Sequence, residues 1–301
     1  MDIASPAVIA TQRPVFVRAP AKINLTLDVL GKRPDGYHAL ASVMQTIAVY
    51  DTIALWPRPA GEITLACNAP ELSGESNLAW RAARLISAVT GGAHGVHIEL
   101  RKEIPTQGGL GGGSSDGAAI LVALNRWWQL GLSTAALIDL AAQLGSDVPF
   151  FIVGGTALIE GRGEIVTPLP DVTPLWLVVA KPPVNVPTPA VFRGLTPAAY
   201  TDGLATQQLV VAIRAGTLPP LNDATLLNAL EQDVLRDYPA VERLRGVLRR
   251  AGAPTVRMSG SGPTLYAPFT ALSAATAVWR AAIQAGARAW LTYTPSAEPQ
   301  S

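Results

Sequence analysis

From Val15 onward apolar and polar residues alternate, with Ile23, Leu25, Leu27 and Val29 set against Asn24, Thr26 and Asp28. This period of two predicts a strand, broken at Gly31-Lys32-Arg33-Pro34-Asp35-Gly36. β character resumes at 44–48 and 52–56, and 62–66 is a further short candidate. At Asn77 the period changes: Leu78, Ala82, Leu85 and Ile86 fall on one side and Arg81 and Arg84 on the other, the stripe of an amphipathic helix. Residues 96–100 read as a strand that delivers the chain into Lys102, Pro105 and a run of glycines. Beyond that run, 118–130 is apolar almost all round, which predicts a helix buried inside a domain. Ser133 or Thr134 caps the next helix, whose Leu137, Ile138, Leu140, Ala141 and Leu144 make a core face until Gly145 ends it. Residues 150–153 and 156–159 read as short β-like or irregular pieces, Gly161-Arg162-Gly163 as a turn into Ile165 and Val166, and 175–180 as an all-apolar strand.

A domain boundary is expected near 165–170. After it come a helix near 240–250, strands near 255–258 and 264–267, a helix near 273–285 and a last strand at 289–293. An α-β-β-α-β run with a preceding strand predicts a ferredoxin-like layer of helices on an antiparallel sheet. No repeat of solenoid length is present.

A chain of 301 residues, 49% hydrophobic and 15% charged, has material for two domains with cores of their own. The formal charge of +1, with Lys and Arg scattered, leaves no footprint for nucleic acid. Cys67 is the only cysteine, which excludes an intrachain disulfide framework and a Cys-rich metal site. His38, His94 and His97 contain no His-x-x-x-His pair, so no zinc site is expected. No apolar run approaches the roughly 18 residues of a membrane span, and 1–14 lacks both a basic start and an apolar core. A soluble cytoplasmic protein is expected, with frayed ends at 1–14 and 294–301.

The candidate chemistry centres on Gly108, Gly109, Leu110, Gly111, Gly112 and Gly113, followed by Ser114, Ser115 and Asp116. Nearly bare backbone before a helix is the layout of an anion cradle, because amides and helix dipole then point at one ligand. On glycine content alone a flexible surface loop fits as well. A P-loop requires Gly-Lys-Ser/Thr, and here Gly113 precedes Ser114 with no lysine. The dinucleotide fingerprint fails too: its third glycine would fall at Ser114, and Trp128, Gln129 and Leu130 stand where an acidic ribose reader is needed. Neither His-Arg-Asp nor Asp-Phe-Gly occurs, which removes the protein-kinase set.

Three separated motifs resemble the GHMP kinases, small-molecule kinases named for galactose, homoserine, mevalonate and phosphomevalonate. They are Ala19-Pro20-Ala21-Lys22-Ile23-Asn24-Leu25, the loop from Pro105 to Ser115, and Met258-Ser259-Gly260-Ser261-Gly262-Pro263. Further runs resemble the branch whose acceptor alcohol carries a cytidylyl group, in non-mevalonate isoprenoid synthesis: Lys32-Arg33-Pro34-Asp35-Gly36-Tyr37-His38, Ser76-Asn77-Leu78, Gly145-Ser146-Asp147-Val148-Pro149, and the stretch from Val186 through Thr188 to Phe192. The likeness spans roughly 15–290. It departs at Gly109 and Gly117, where small alanine-like residues are common, and is loose over 221–228.

The resemblance implies an α+β, two-domain GHMP kinase fold. An N-terminal ribosomal-protein-S5-like domain, 1–167, would hold the ATP loop and catalytic residues; a C-terminal ferredoxin-like α/β sandwich, 168–301, would complete the cleft. It implies ATP and Mg²⁺, with no metal-ligating side chain assigned, and a small cytidylyl substrate. Nucleic acid and membrane are not expected as partners, and the protein is expected as a monomer or homodimer. Asp147 is implied as the base and Lys22 as its positive partner, although an Asp after a helix-ending glycine is by itself a turn or cap residue. Asn24 is implied at the substrate, as are Tyr37 and His38 at the base, Phe192 on the opposite ring face, and Thr188. Gly108 to Ser115 are implied at the phosphates through their amides, with Asp116 near the metal-bearing end. Asn77 and Leu78 are implied at the adenine with Lys102 and Pro105 nearby; a helix N-terminal Asn is equally a cap. A sister GHMP alcohol kinase, or a non-catalytic nucleotide or metabolite sensor, remains the alternative.

Overall fold

The alternation beginning at Val15 builds β1 (Val15–Lys32), and the segments predicted at 44–48 and 52–56 form one strand, β2 (His38–Arg58), antiparallel to β1. A register shift between Pro20 and Ala21 explains the apparent break, since a bulge slips the side-chain period without ending the pairing. The chain then forms β3 (Ile63–Cys67), α1 (Leu78–Val89), β4 (Gly95–Arg101), α2 (Gly112–Trp127), α3 (Thr134–Leu144), α4 (Val148–Val153), β5 (Thr156–Gly161) and β6 (Ile165–Leu169). The computed structural model describes residues 13–223 and 225–295.

The first sheet has the order β3-β4-β2-β5-β6, with β1 also on β2, and only β3 and β4 are parallel. The apolar sides of α1 to α4 pack with it through Ile53, Leu55, Ala82, Ile86, Ile98, Ile120, Leu124 and Phe150. Two expectations are corrected. Helix α2 starts at Gly112 rather than 118, so the last two glycines of the run, Gly112 and Gly113, lie inside it. The stretch 150–153 is helical, because Pro149 presets the first turn and burial of Phe150, Phe151 and Ile152 outweighs their strand preference.

The second sheet is built from β7 (Trp176–Lys181), and the Pro-rich stretch after it holds α5 (Thr188–Gly194), α6 (Leu204–Arg214) and α7 (Glu231–Asp237). Helix α8 (Pro239–Arg250), β8 (Arg257–Met258), β9 (Leu265–Phe269), α9 (Leu272–Gln284) and β10 (Arg288–Tyr293) follow. The antiparallel order β10-β7-β9-β8 is that of a ferredoxin-like layer. Thr294, expected to fray, is buried and exchanges hydrogen bonds with Leu175; 296–301 and 1–12 lie outside the described residues. Among the described residues no helix is long and apolar enough to cross a membrane.

A third core joins the halves. Ile23 and Leu25 of β1 pack with Leu177 and Val179 of β7, Leu209 and Ile213 of α6, and Tyr266 of β9. The buried Tyr266 hydroxyl donates to the Asn24 carbonyl at 2.9 Å, which pins β1 to the second sheet. Polar positions of β1 are therefore covered as completely as apolar ones: Lys22, Asn24, Thr26 and Asp28 are all buried.

Helix α2 carries one improvable position. A Cβ on Gly117 would meet nothing nearer than the Leu78 carbonyl oxygen at 3.4 Å, an ordinary contact. Gly117→Ala is expected to stabilise the protein by about 0.5–1 kcal/mol through helix propensity alone. Calorimetry should show a raised Tm; a lowered one would mean that α1 and α2 pack too tightly there for a methyl group.

Candidate active site

Between β4 and α2 the chain runs through Lys102 and Pro105 into the glycines. Gly111, left-handed at φ 71°, precedes α2; a Cβ there would come within 2.7 Å of the Phe151 ring and 3.1 Å of Lys22 Cγ. The bare residue lets the helix begin against the lysine stem. The amides of Gly112, Gly113 and Ser114 occupy the first turn, where a helix offers no internal acceptor, so they and the dipole form a positive concavity. The Ser115 amide is already bonded to the Gly111 carbonyl, and Leu110 turns its side chain into the core while its carbonyl accepts from the Lys22 amide at 3.0 Å. Neither belongs to the open cradle.

The cradle is closed from the second half of the chain. Ser259 Oγ donates to the Gly109 carbonyl at 2.8 Å, and a Cβ on Gly109, itself at φ 74°, would lie 2.1 Å from the Ser259 carbonyl oxygen. A residue with a side chain cannot take that place without forcing the turn at 259–262 away. Asn228, in the loosely matched stretch, holds the same turn by donating to the Met258 and Gly260 carbonyls, both at 2.8 Å.

Asp147 stands at the N-cap position of α4 but makes no side-chain cap bond. Its Oδ2 lies 3.7 Å from Lys22 Nζ, an ion-pair separation longer than a hydrogen bond, and its side chain is one-third exposed to the cavity while Lys22 is buried. Lys22 Nζ donates to Asn24 Oδ1 at 2.7 Å, and Asn24 Nδ2 donates to Ser42 Oγ at 2.8 Å, which fixes the ammonium direction. Burial lowers the Lys22 pKa, and the Asp147 carboxylate works against that shift. The pair therefore offers a proton acceptor and a cation side by side.

A second charge cluster flanks the helix start. Lys102 Nζ donates to Asp51 Oδ2 and, at 2.6 Å, to Asp116 Oδ2. Asp51, fully buried, also accepts from the amides of Glu103 and Ile104 at 2.6 and 2.8 Å. Burial opposes the Lys102 charge, yet Asp116 and Asp51 hold its pKa above the ordinary value. Asp116 is raised to about 8 by burial, with Asp51 adding to the shift and Lys102 opposing it. Asp116 Oδ1 and Ser115 Oγ are buried without a hydrogen-bond partner among the described residues.

These parts border one cavity of about 840 Å³. It is lined by Lys22, Asn24, Tyr37, His38, Leu78, Lys102, Pro105, Asp147, Thr188 and Phe192 and by Gly108, Gly109, Gly111, Gly112 and Gly113. Ser114 lines it as well, whereas Asn77, Leu110, Ser115 and Asp116 do not. Asn77 is a helix cap: Oδ1 accepts from the Ala79 amide and Nδ2 donates to the Leu72 carbonyl. Thr188 Oγ1 shares a 2.7 Å hydrogen bond with Ser261 Oγ. His38 stands 5.5 Å from the Phe192 ring, and the Arg162 guanidinium lies 5.3 Å over the ring of the exposed Tyr37. Arg33 and Asp35 pair with each other in the turn.

Sequence reasoning missed Asp51, Arg162, Tyr200 and Asn228. Only Asp51 carried a local signal, an acid inside the apolar strand pattern 47–55. Asp51→Asn would leave Lys102 and two amides without their carboxylate, and a loss of about 3 kcal/mol is expected. Urea unfolding should show a lowered midpoint at unchanged slope; an unchanged midpoint would mean the triad contributes nothing to stability.

Residues 77–155 match the GHMP kinases N terminal domain, and residues 209–288 match the GHMP kinases C terminal domain. A protein from Pelotomaculum thermopropionicum named 4-diphosphocytidyl-2-C-methyl-D-erythritol kinase is 49% identical over 82% of this chain and 86% of its own. One of the same name from Brevibacillus brevis is 44% identical over 84% and 87%. A crystal structure of 4-(cytidine 5'-diphospho)-2C-methyl-D-erythritol kinase superimposes with a TM-score of 0.80 at 35% identity, covering 94% of this chain and all of that one. A homoserine kinase from Cytophaga hutchinsonii, 17% identical, shares the fold with a TM-score of 0.74 over 97% of this chain and 98% of its own. With both halves matched in sequence, and the glycine cradle of the first seated on the turn of the second, the chain belongs to the GHMP kinase family.

Proposed function

We propose that this chain uses ATP to phosphorylate the 2-hydroxyl of 4-diphosphocytidyl-2-C-methyl-D-erythritol, a step of the non-mevalonate isoprenoid precursor pathway. The carrying observation is the Lys22–Asp147 pair, set in the cavity that also holds the open helix start and the ring cluster of Tyr37, His38 and Phe192. The names borne by relatives at 44–49% identity agree with this substrate.

In this reading the amides of Gly112, Gly113 and Ser114 take up phosphate oxygens, and Leu78 and Pro105 border the nucleotide. Asp147 accepts the proton of the acceptor hydroxyl as its oxygen bonds to the γ-phosphorus and the bond to the ADP oxygen breaks. Lys22, aimed by Asn24, stabilises the negative charge that gathers on those oxygens. Its depressed pKa eases deprotonation, so Asp147 also serves to keep the ammonium charged. The positive charge that a P-loop lysine would supply comes instead from Lys22 and from Lys102, whose ammonium is held by Asp51 and Asp116.

Mg²⁺ fits the same end. Ser115 Oγ and Asp116 Oδ1, both buried and unpartnered, would hold it together with phosphate oxygens and water. Bound there it neutralises phosphate charge. Among the described residues no group of three His, Cys, Asp or Glu side chains is gathered for a metal.

On the acceptor side, the Tyr37 and Phe192 rings that line the cavity offer stacking surfaces for cytosine, and His38 offers edge hydrogen bonds. Burial, with Lys32 nearby, lowers the His38 pKa and favours the neutral imidazole, which has one donor and one acceptor nitrogen.

ADP release with the cytidylyl alcohol is expected to exceed that with mevalonate, homoserine or galactose. Turnover of mevalonate without turnover of the cytidylyl compound would overturn the substrate assignment. Asp147→Asn is expected to lower kcat by about 10²–10⁴-fold, and an undiminished kcat would remove Asp147 from the proton-transfer role. The pH profile of the residual activity supplies a second readout. Loss of the carboxylate removes what raises the Lys22 pKa, so the ammonium is lost at lower pH and the alkaline limb should move down.

A further inference from the structure

We infer that Tyr200 is a further ring of the base site, setting the orientation of the His38 imidazole, and that the buried carboxylate of Asp28 positions it through Thr201. The inference rests on the cytidylyl acceptor proposed above.

Tyr200 lines the cavity, with its ring 5.9 Å from His38 at an interplanar angle of 66°, an edge-to-face contact. Phe192 meets the same imidazole at 5.5 Å and 34°, so two rings restrict its rotation. That rotation matters because the donor and acceptor nitrogens of a neutral imidazole differ. A ring turned over presents the wrong pattern to the cytosine edge.

Tyr200 follows a short 3-10 turn, Pro197–Ala199, in a loop that needs an anchor. Its neighbour supplies one. The Thr201 amide donates to the Val29 carbonyl at 2.9 Å, and Thr201 Oγ1 donates to Asp28 Oδ1 at 2.6 Å. Asp28 is fully buried and has no cation partner among the described residues. Its other oxygen accepts from the amide and hydroxyl of Thr206 at 3.0 and 2.6 Å, in the first turn of α6. All three donors belong to the short segment 201–206. A buried carboxylate is costly unless hydrogen-bonded, so its position is explained by what it holds.

The anchor and the imidazole also share a scaffold. Asp28 pairs with Ala41 and Lys32 with His38 on the same β1–β2 ladder. The loop bearing Tyr200 is thus docked onto β1, the strand paired with the one that begins at His38, and a shift at Asp28 is transmitted to the ring contact.

The test compares kcat/KM for the cytidylyl acceptor with that for its uridylyl analogue, and KM for ATP, in the intact protein and in Thr201→Val, Thr201→Ser and Tyr200→Leu. Thr201→Val keeps the shape but removes the donor to Asp28. It is expected to lower the cytidylyl-over-uridylyl preference about tenfold, the scale of one hydrogen bond to a charged group, with KM for ATP unchanged. Tyr200→Leu should lose the same preference, and Thr201→Ser should retain it. Undiminished preference in Tyr200→Leu, or a Thr201→Val protein that loses ATP and acceptor binding alike, would overturn the inference. If the unsubstituted protein does not use the cytidylyl acceptor, the proposed function itself fails; if it does and both variants keep its preference, only this inference fails.

Discussion

Strand β1 buries Lys22, Asn24, Thr26 and Asp28, and the cost of leaving any of these groups unpaired organises much of the molecule. Lys22 is met by Asn24 and Asp147, Asn24 by Ser42, Thr26 by the Val43 amide and the Thr206 hydroxyl, and Asp28 by Thr201 and Thr206. The partners come from β2, from the entry to α4 and from α6. Satisfying one strand therefore draws both halves of the chain onto it, and the apolar side of that strand completes the shared core with β7, α6 and Tyr266.

The same arrangement solves an electrostatic problem. The glycine cradle offers amides and a helix dipole but no cation of its own, and two lysines reach its start, Lys22 from a strand remote in sequence and Lys102 from just upstream of the glycines. They are held in different ways. Lys22 is paired loosely with a half-open carboxylate, so its charge is responsive to Asp147; Lys102 is gripped between two buried carboxylates, which keep it charged and leave Asp116 competing for a proton. The first suits chemistry that moves a proton, and the second suits a fixed electrostatic frame.

Much of the fold was legible because it follows local periods. The α-β-β-α-β run of the second half, the stripe beginning at Leu78 and the alternation from Val15 all became the predicted elements. Failures came where a remote contact overrode the local pattern. A bulge opposite Pro20 and Ala21 hid the continuity of β2, the glycines that read as loop became the first turn of α2, and burial made 150–153 helical. At the site, Lys22, Asp147, Tyr37, His38 and Phe192 were found through motif resemblance and share the cavity. Asn77, equally readable as a cap, has its side chain committed to capping. Asp28 was read as part of a polar strand face, the ordinary inference from alternation, and nothing nearby in sequence marks it as buried.

The sequence by itself determined most of the elements, a glycine run without its own lysine, and the order of motifs that identifies the family, because each depends on side-chain period or backbone freedom over a few adjacent residues. Which lysine serves the cradle, which carboxylate faces it, and how Asp28 reaches the loop of Tyr200 were decided only by tertiary structure. Charge pairing and desolvation are set by neighbours in space, and packing of β1 between the two halves is what makes those neighbours.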